Sequence, residues 1–250
     1  MEEKNEIYEG EIKLKSPLIT KLENFWYHYK WHSLIALFLI FTITICSFQM
    51  CTKVSYDSYI LYAGNYEIKH TSSAGSNPYL EMVASLKKVG EDFDEDGNVN
   101  INLLNLYVLN EEEMNEALEG AEEGASINQS LVMEDTETLS TTLLYGEHYI
   151  CFLSERLFLE NEEKYNGLLF APIEQYTSSD RTYEYASERG IYLRSLDIYK
   201  LPEISNLPDD TVVCIRQLSE VSSVFGKKDN EEFFRRAEIV LKNILDYDID

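Results

Sequence analysis

The residues best spaced to do chemistry lie between Glu91 and Asn102, in the stretch EDFDEDGNVNIN. Counted from Asp92, carboxylates stand at alternate positions (Asp92, Asp94, Asp96), Gly97 follows at the sixth position and Asn100 at the ninth. Alternate side chains of a tight loop converge on one hard cation, and glycine permits the sharp turn, so the pattern matches the first two-thirds of a calcium loop. The match then breaks. Leu103 stands where the bidentate acid of the twelfth position belongs, and a strand-like run follows where a second helix is required. Two readings result: a calcium site built from Asp92, Asp94, Asp96 and Asn100, or an Asp/Gly turn whose carboxylates bond their own backbone. The turn is the favoured one, and no cofactor other than calcium is suggested.

Other chemistries lack their residues. No G-x-S-x-G, phosphate-binding G-x-x-x-x-G-K-[ST], H-E-x-x-H or dinucleotide fingerprint occurs. Of four histidines, His28 and His32 flank an apolar segment, which leaves His70 and His148 for any hydrolytic site. The sequence therefore reads as that of a non-enzyme. Four cysteines show no metal-binding spacing. Cys151 and Cys214 fall in strand-like runs, HYICFL and TVVCIR, and are either a disulfide between neighbouring strands or two buried thiols.

The elements that carry these residues are organised around Trp31–Cys51, WHSLIALFLIFTITICSFQMC, which contains no Asp, Glu, Lys or Arg. As a helix it reaches about 30 Å, the thickness of a bilayer's hydrocarbon core. Ser and Thr within it can bond back to the preceding turn, and Phe25, Trp26, Tyr27, Tyr29 and Trp31 form an aromatic belt on its near side. Lys13, Lys15, Lys21 and Lys30 face a single acid, Glu23, over the same interval, so the positive-inside rule puts the N-terminus in the cytoplasm. The apolar run is longer than a signal peptide's, and no small-x-small cleavage pattern follows it. The expected organisation is a cytoplasmic tail at 1–30, irregular to about residue 24, a transmembrane helix at 31–52, and an extracytoplasmic domain at 53–250.

The chain is strongly acidic, with a formal net charge of -24 over 250 residues. Residues 1–30 are nearly balanced and 31–51 carry no charge, so the excess belongs to the outer domain. That field repels nucleic acid and anionic lipid surfaces, and nucleic acid is excluded as a partner.

In that domain strand-like and helix-like stretches alternate. Strands are expected at 54–64, 99–109, 148–154, 190–196 and 211–218, with a short edge strand at 167–173. Helices are expected from Asn77-Pro78, from Asn110 with Glu113 as a capping pair, at about 134–145, after Ser154, and over DNEEFFRRAEIVLKNILDY near the end. Such alternation predicts an α/β fold: one mixed, largely parallel sheet behind an N-terminal transmembrane helix. Eighteen tyrosines are abundant, and Tyr59, Tyr62, Tyr107 and Tyr149 are expected to cover strand faces rather than to stack on ligands.

The stretch LSTTLLYGEHYICFLSERLFLENEEKYNGLLFAPIEQY (139–176) resembles part of an extracytoplasmic solute-binding protein of the ABC-transporter type. Leu143 to His148, the strand Tyr149–Leu153, Asn166-Gly167-Leu168 and Pro172-Ile173 follow that family's order, although His148-Tyr149 stand where Pro-Asp is usual. FWYHYKWHSL in turn resembles the anchor region of uncharacterised single-pass surface proteins of Gram-positive bacteria. The resemblance implies a reduced periplasmic-binding-protein-like lobe with a ligand cleft at the carboxyl ends of the strands. Loop 65–77, His148, Glu155 and Arg216 would lie there. The expected function is a membrane-anchored extracytoplasmic binding or interaction module for a small molecule or peptide. The alternatives are a non-catalytic assembly or structural subunit with a membrane-protein partner, and, third, a surface hydrolase.

Overall fold

The computed structural model describes residues 17–51, 55–70, 75–119, 128–218 and 227–249. It divides into two compact units, one ending at Val54 and one beginning at Ser55. In the first, helix α1 (Pro17–Cys51) contains a 25-residue stretch, Asn24–Phe48, long and apolar enough to cross a membrane. Thr42 and Thr44 donate to the carbonyls of Phe38 and Ile40 at 2.9 and 2.8 Å, so neither hydroxyl is left without a partner in an apolar surrounding. The tail was expected to be irregular to about residue 24, but the helix already begins at Pro17, where proline suits a first turn. Residues 1–16 lie outside the described residues.

The second unit is built on a six-stranded sheet in the order β2-β1-β3-β6-β5-β4. Its strands are β1 (Ser58–Gly64), β2 (Ile101–Tyr107), β3 (Ile150–Ser154), β4 (Tyr185–Ser187), β5 (Gly190–Tyr192) and β6 (Thr211–Ile215). β1 pairs in parallel with β2 and with β3; the β3–β6, β6–β5 and β5–β4 pairings are antiparallel. The sheet is therefore mixed, and the largely parallel sheet expected from the alternation is corrected. After β3 the chain runs through the helix Glu155–Lys164, the β4–β5 hairpin and short 3-10 turns at Ile173–Tyr176, Leu193–Ser195, Asp197–Lys200 and Ile204–Asn206 before β6 returns antiparallel to β3.

Strands β3 and β6 are buried along their whole length, and β1 nearly so, which explains their continuous apolar sequences. One face (Ile60, Tyr62, Ile150, Phe152, Val213, Ile215) packs against α2 (Pro78–Leu86), α6 (Lys227–Leu245) and the 3-10 segment. The other (Leu61, Ala63, Cys151, Leu153, Val212, Cys214) packs against α4 (Gln129–Tyr145) and α5 (Glu155–Lys164). The expected caps form. Asn77 accepts from Leu80 N, and Asn110 and Glu113 bond reciprocally at 2.8 and 2.9 Å to open α3 (Glu111–Glu119). Arg156 grips the same Glu113 with two guanidinium nitrogens, at 3.1 and 2.7 Å, and so ties α3 to α5.

Two boundaries differ from expectation. Helix α2, expected to run through PYLEMVASLKKVGEDF, ends at Leu86, and the chain then passes Gly90, where an added Cβ would lie 2.6 Å from Val99 Cγ1. The expected edge strand at 167–173 reduces to one bridge, Phe170 to Arg216, since Pro172 has no N–H to extend it. Strand β4 was not anticipated; three residues in a hairpin are too short for alternation to register.

Cys151 and Cys214 are direct register partners on β3 and β6, and both are buried free thiols. Burial, and then the neighbouring Cys151 thiol, pushes the Cys214 thiol well up, so Cys214 stays a thiol. A maleimide added to the native protein is expected to leave both unlabelled, and unfolding without reductant to expose both to it. Mass spectrometry of the labelled peptides reads this directly, and a peptide pair that needs reductant before labelling would mean a disulfide instead.

Candidate functional site

Among the places where described polar side chains gather, two lie at opposite ends of the sheet. At the carboxyl ends of β1 and β2, the segment leaving β1 passes beside the C-terminal half of β2 and the first turns of α4. A pocket of about 480 Å³ opens there, lined by Glu67, Ile68, Lys69, His70, Asn105, Tyr107, Leu131 and Asp135. Its volume falls in the usual range for small-ligand sites. The walls are fixed by hydrogen bonds. Asn105 Nδ2 donates to Ile68 O at 3.0 Å, which holds the segment on β2, and Tyr107 N donates to Asp135 Oδ2 at 2.8 Å, which holds α4 on the open edge of β2. Burial, then the carboxylates of Glu134 and Glu67, raise the Asp135 carboxyl above its ordinary range, against the opposing effect of the Tyr107 bond. Burial and the charges of Glu67 and Glu113 likewise raise the Tyr107 phenol. His70 lies tilted over Tyr79, ring centroids 4.4 Å apart, and Tyr79 OH donates to Leu103 O.

Of the residues expected near a cleft, loop 65–77 supplies Glu67, Ile68, Lys69 and His70 to the lining of this pocket. Residues 71–74 lie outside the described residues. Glu155 begins α5 at the carboxyl end of β3, but it accepts from Tyr192 OH at 2.5 Å and lines no part of this pocket. That bond, first of all, pushes the Tyr192 phenol up to about 12. His148 and Arg216 are at the other end of the sheet. Arg216 is buried, stacks 4.5 Å over the Tyr149 ring and donates to the carbonyls of Leu143 and Gly146, so it closes the C-terminus of α4. Of the four tyrosines expected on strand faces, Tyr62 and Tyr149 are core residues and Tyr59 packs edge-on against His148 and Phe233, whereas Tyr107 lines the pocket.

The acidic turn lies beside the start of β1. Asp92 accepts from Asp96 N and Gly97 N, Asp94 from Asp96 N, and Asp96 from Asn98 N. Glu95 and Gly97 take left-handed conformations, φ 59° and 86°. The carboxylates that converge are those of Asp57, Asp92 and Asp94, whose oxygens lie within 4.8 Å of one another. Asp96 aims at Asn98 N, and Asn100 takes part through its backbone, donating N–H to Asp57 Oδ2 at 2.8 Å. Of the expected set Asp92, Asp94, Asp96 and Asn100, two residues are brought together, and the third partner, Asp57, comes from the segment before β1. Its distance in sequence hid it; a lone acid ahead of an apolar strand was the available signal. A hard cation added here would be held by Asp57, Asp92 and Asp94. Any calcium-dependent rise in melting temperature is therefore expected to vanish in Asp94→Asn and to survive Asp96→Asn, as differential scanning fluorimetry would read.

Comparison with protein-family models, with curated proteins and with solved structures returned no match for this chain.

Proposed function

We propose that this protein is a membrane-anchored extracytoplasmic binding module that captures a small molecule or peptide in the pocket at the carboxyl ends of β1 and β2. Residues 1–30 lie in the cytoplasm, 31–52 cross the cell membrane and 53–250 stand outside, as the lysine excess before the apolar segment and its aromatic belt support. The carrying observation is the pocket itself. It sits outside the carboxyl ends of parallel strands, where open α/β sheets bind their ligands. Two of its lining side chains, Asn105 and Asp135, are fixed by hydrogen bonds to the backbone. The solute-binding resemblance is consistent with this placement. Helix α4 ends at Tyr145, buried β3 follows and α5 leads to Asn166-Gly167, both in left-handed conformations, before Pro172.

The test joins topology to binding. Protease added to intact cells is expected to remove the domain and spare the tail. In a thermal-shift screen of the purified chain against sugars, amino acids, short peptides and divalent cations, one organic class is expected to raise the melting temperature by mass action. A flat response to every class, with co-purification of a defined membrane protein, would replace this reading with the assembly subunit.

A further inference from the structure

The pocket lining is unbalanced. Glu67 and Asp135 bring two carboxylates, and neither forms an ion pair among the described residues, where Arg156, Arg181, Arg189, Arg194 and Arg236 all do. Asp135 is held in place through Oδ2 by the Tyr107 backbone, and no hydrogen bond to Oδ1 is formed among the described residues. Asn105 lines the same wall with its amide nitrogen committed to Ile68 O, while its oxygen is buried behind the wall and has no hydrogen-bond partner among the described residues. Two carboxylates without a paired cation among the described residues thus border one cavity, beside His70, the Tyr107 ring and the apolar side chains of Ile68 and Leu131. Lys69 is exposed and is the cavity's one ammonium.

We infer that the pocket takes a ligand bearing a protonated primary amine, its ammonium set between Glu67 and Asp135 and its carbon chain against Tyr107, Ile68 and Leu131. The inference rests on the binding-module reading and names the chemistry of that site. An ammonium offers three donors and no acceptor, the complement of two unpaired carboxylates. Its charge-assisted bonds to carboxylates are stronger than neutral ones, and an aromatic face adds attraction for a cation. Burial first, then the charges of Glu134 and Glu67, disfavour the charged Asp135 carboxylate, and a cation beside it offsets that cost. A carboxylate or phosphate ligand would meet the two acids head on, and a sugar would leave both charges uncompensated.

The experiment is a titration of the full chain in detergent micelles with 1,5-diaminopentane, 1,5-pentanediol and glutarate. These probes share a five-carbon backbone and differ in their end groups. Melting temperature and calorimetry provide the readouts. Diaminopentane is expected to raise the melting temperature, and the diol and glutarate to leave it unchanged. Asp135→Asn, which keeps an acceptor for Tyr107 N, and Glu67→Gln are each expected to weaken diaminopentane binding roughly tenfold to a hundredfold. Glu163→Gln, an acid on α5 outside the pocket, is expected to change nothing. A shift with the diol or glutarate that Leu131→Trp abolishes, with none from the diamine, would overturn the amine and leave the binding module standing. No shift from any of the three probes, together with a flat screen of the other ligand classes, would sink both.

Discussion

Replacing Asp57 by Ala is expected to cost the domain that begins at Ser55 about 3 kcal/mol of stability, through the backbone it holds rather than through charge pairing. The residue is 1% exposed and makes no ion pair among the described residues; its two oxygens accept from Phe93 N and Asn100 N, both at 2.8 Å. Those donors sit at the two ends of the acidic turn, while Asp57 N donates to Asn100 O to set the register that β1 and β2 continue. One side chain therefore fixes where a seven-residue parallel pairing starts. Alanine leaves two partly buried amides without acceptors, each costing about 1–3 kcal/mol. Asn keeps one acceptor oxygen and presents an N–H₂ to the other donor, so Asp57→Asn is expected to lose about half as much. Thermal unfolding followed by near-ultraviolet circular dichroism measures both, and a loss within 0.5 kcal/mol of zero for alanine, the range of an ordinary surface substitution, would contradict the assigned role.

Much of the scaffold is legible in the sequence, and the reason is local. The apolar segment inside α1, the buried runs of β1, β3 and β6, the Asn77 and Asn110 caps and the amphipathic α6 all announce themselves through period or through a residue a few positions away. What was not legible depends on pairing across the chain. The direction of β6 against β3 follows from how the 3-10 segment returns the chain, and no periodicity encodes that. His148 and Arg216 were grouped with Glu155 because all three flank strands. A strand has two ends, however, and only the topology tells which residues share one. Asp57 joins Asp92 and Asp94 from more than thirty residues away. Tyr107 and Asp135 meet because α4 folds back over the edge of β2, a contact that composition does not foreshadow.

Acid is expected to destabilise the domain through His148, and the effect is set by how the amino end of the sheet encloses it. The ring meets Tyr59 from β1 at a centroid distance of 5.5 Å, and Nε2 lies 3.2 Å from Asn102 Oδ1 on β2. Arg216 after β6 bears on it electrostatically, Glu147 is its chain neighbour, and Phe233 of α6 packs on Tyr59. Burial, and then the Arg216 charge, lower its pKa from 6.5 to about 4. The unfolded chain therefore takes up a proton as pH falls through 6.5, while the folded chain resists until about 4. The folded state is favoured fully above the unfolded value, and that advantage is lost progressively between those two pH values, to a total on the order of 3 kcal/mol. The carboxylates of an acidic domain add their own acid dependence, so the difference between two proteins is the useful quantity. His148→Gln keeps an N–H that can donate to Asn102 Oδ1 and cannot titrate. Its stability relative to the parent is expected to rise steadily as pH is lowered from 7 to 4, and NMR of the His148 imidazole in the native protein should show it neutral at pH 5. Parallel stability curves for the two proteins over that range would mean that His148 is open to solvent and that this end of the sheet does not enclose it.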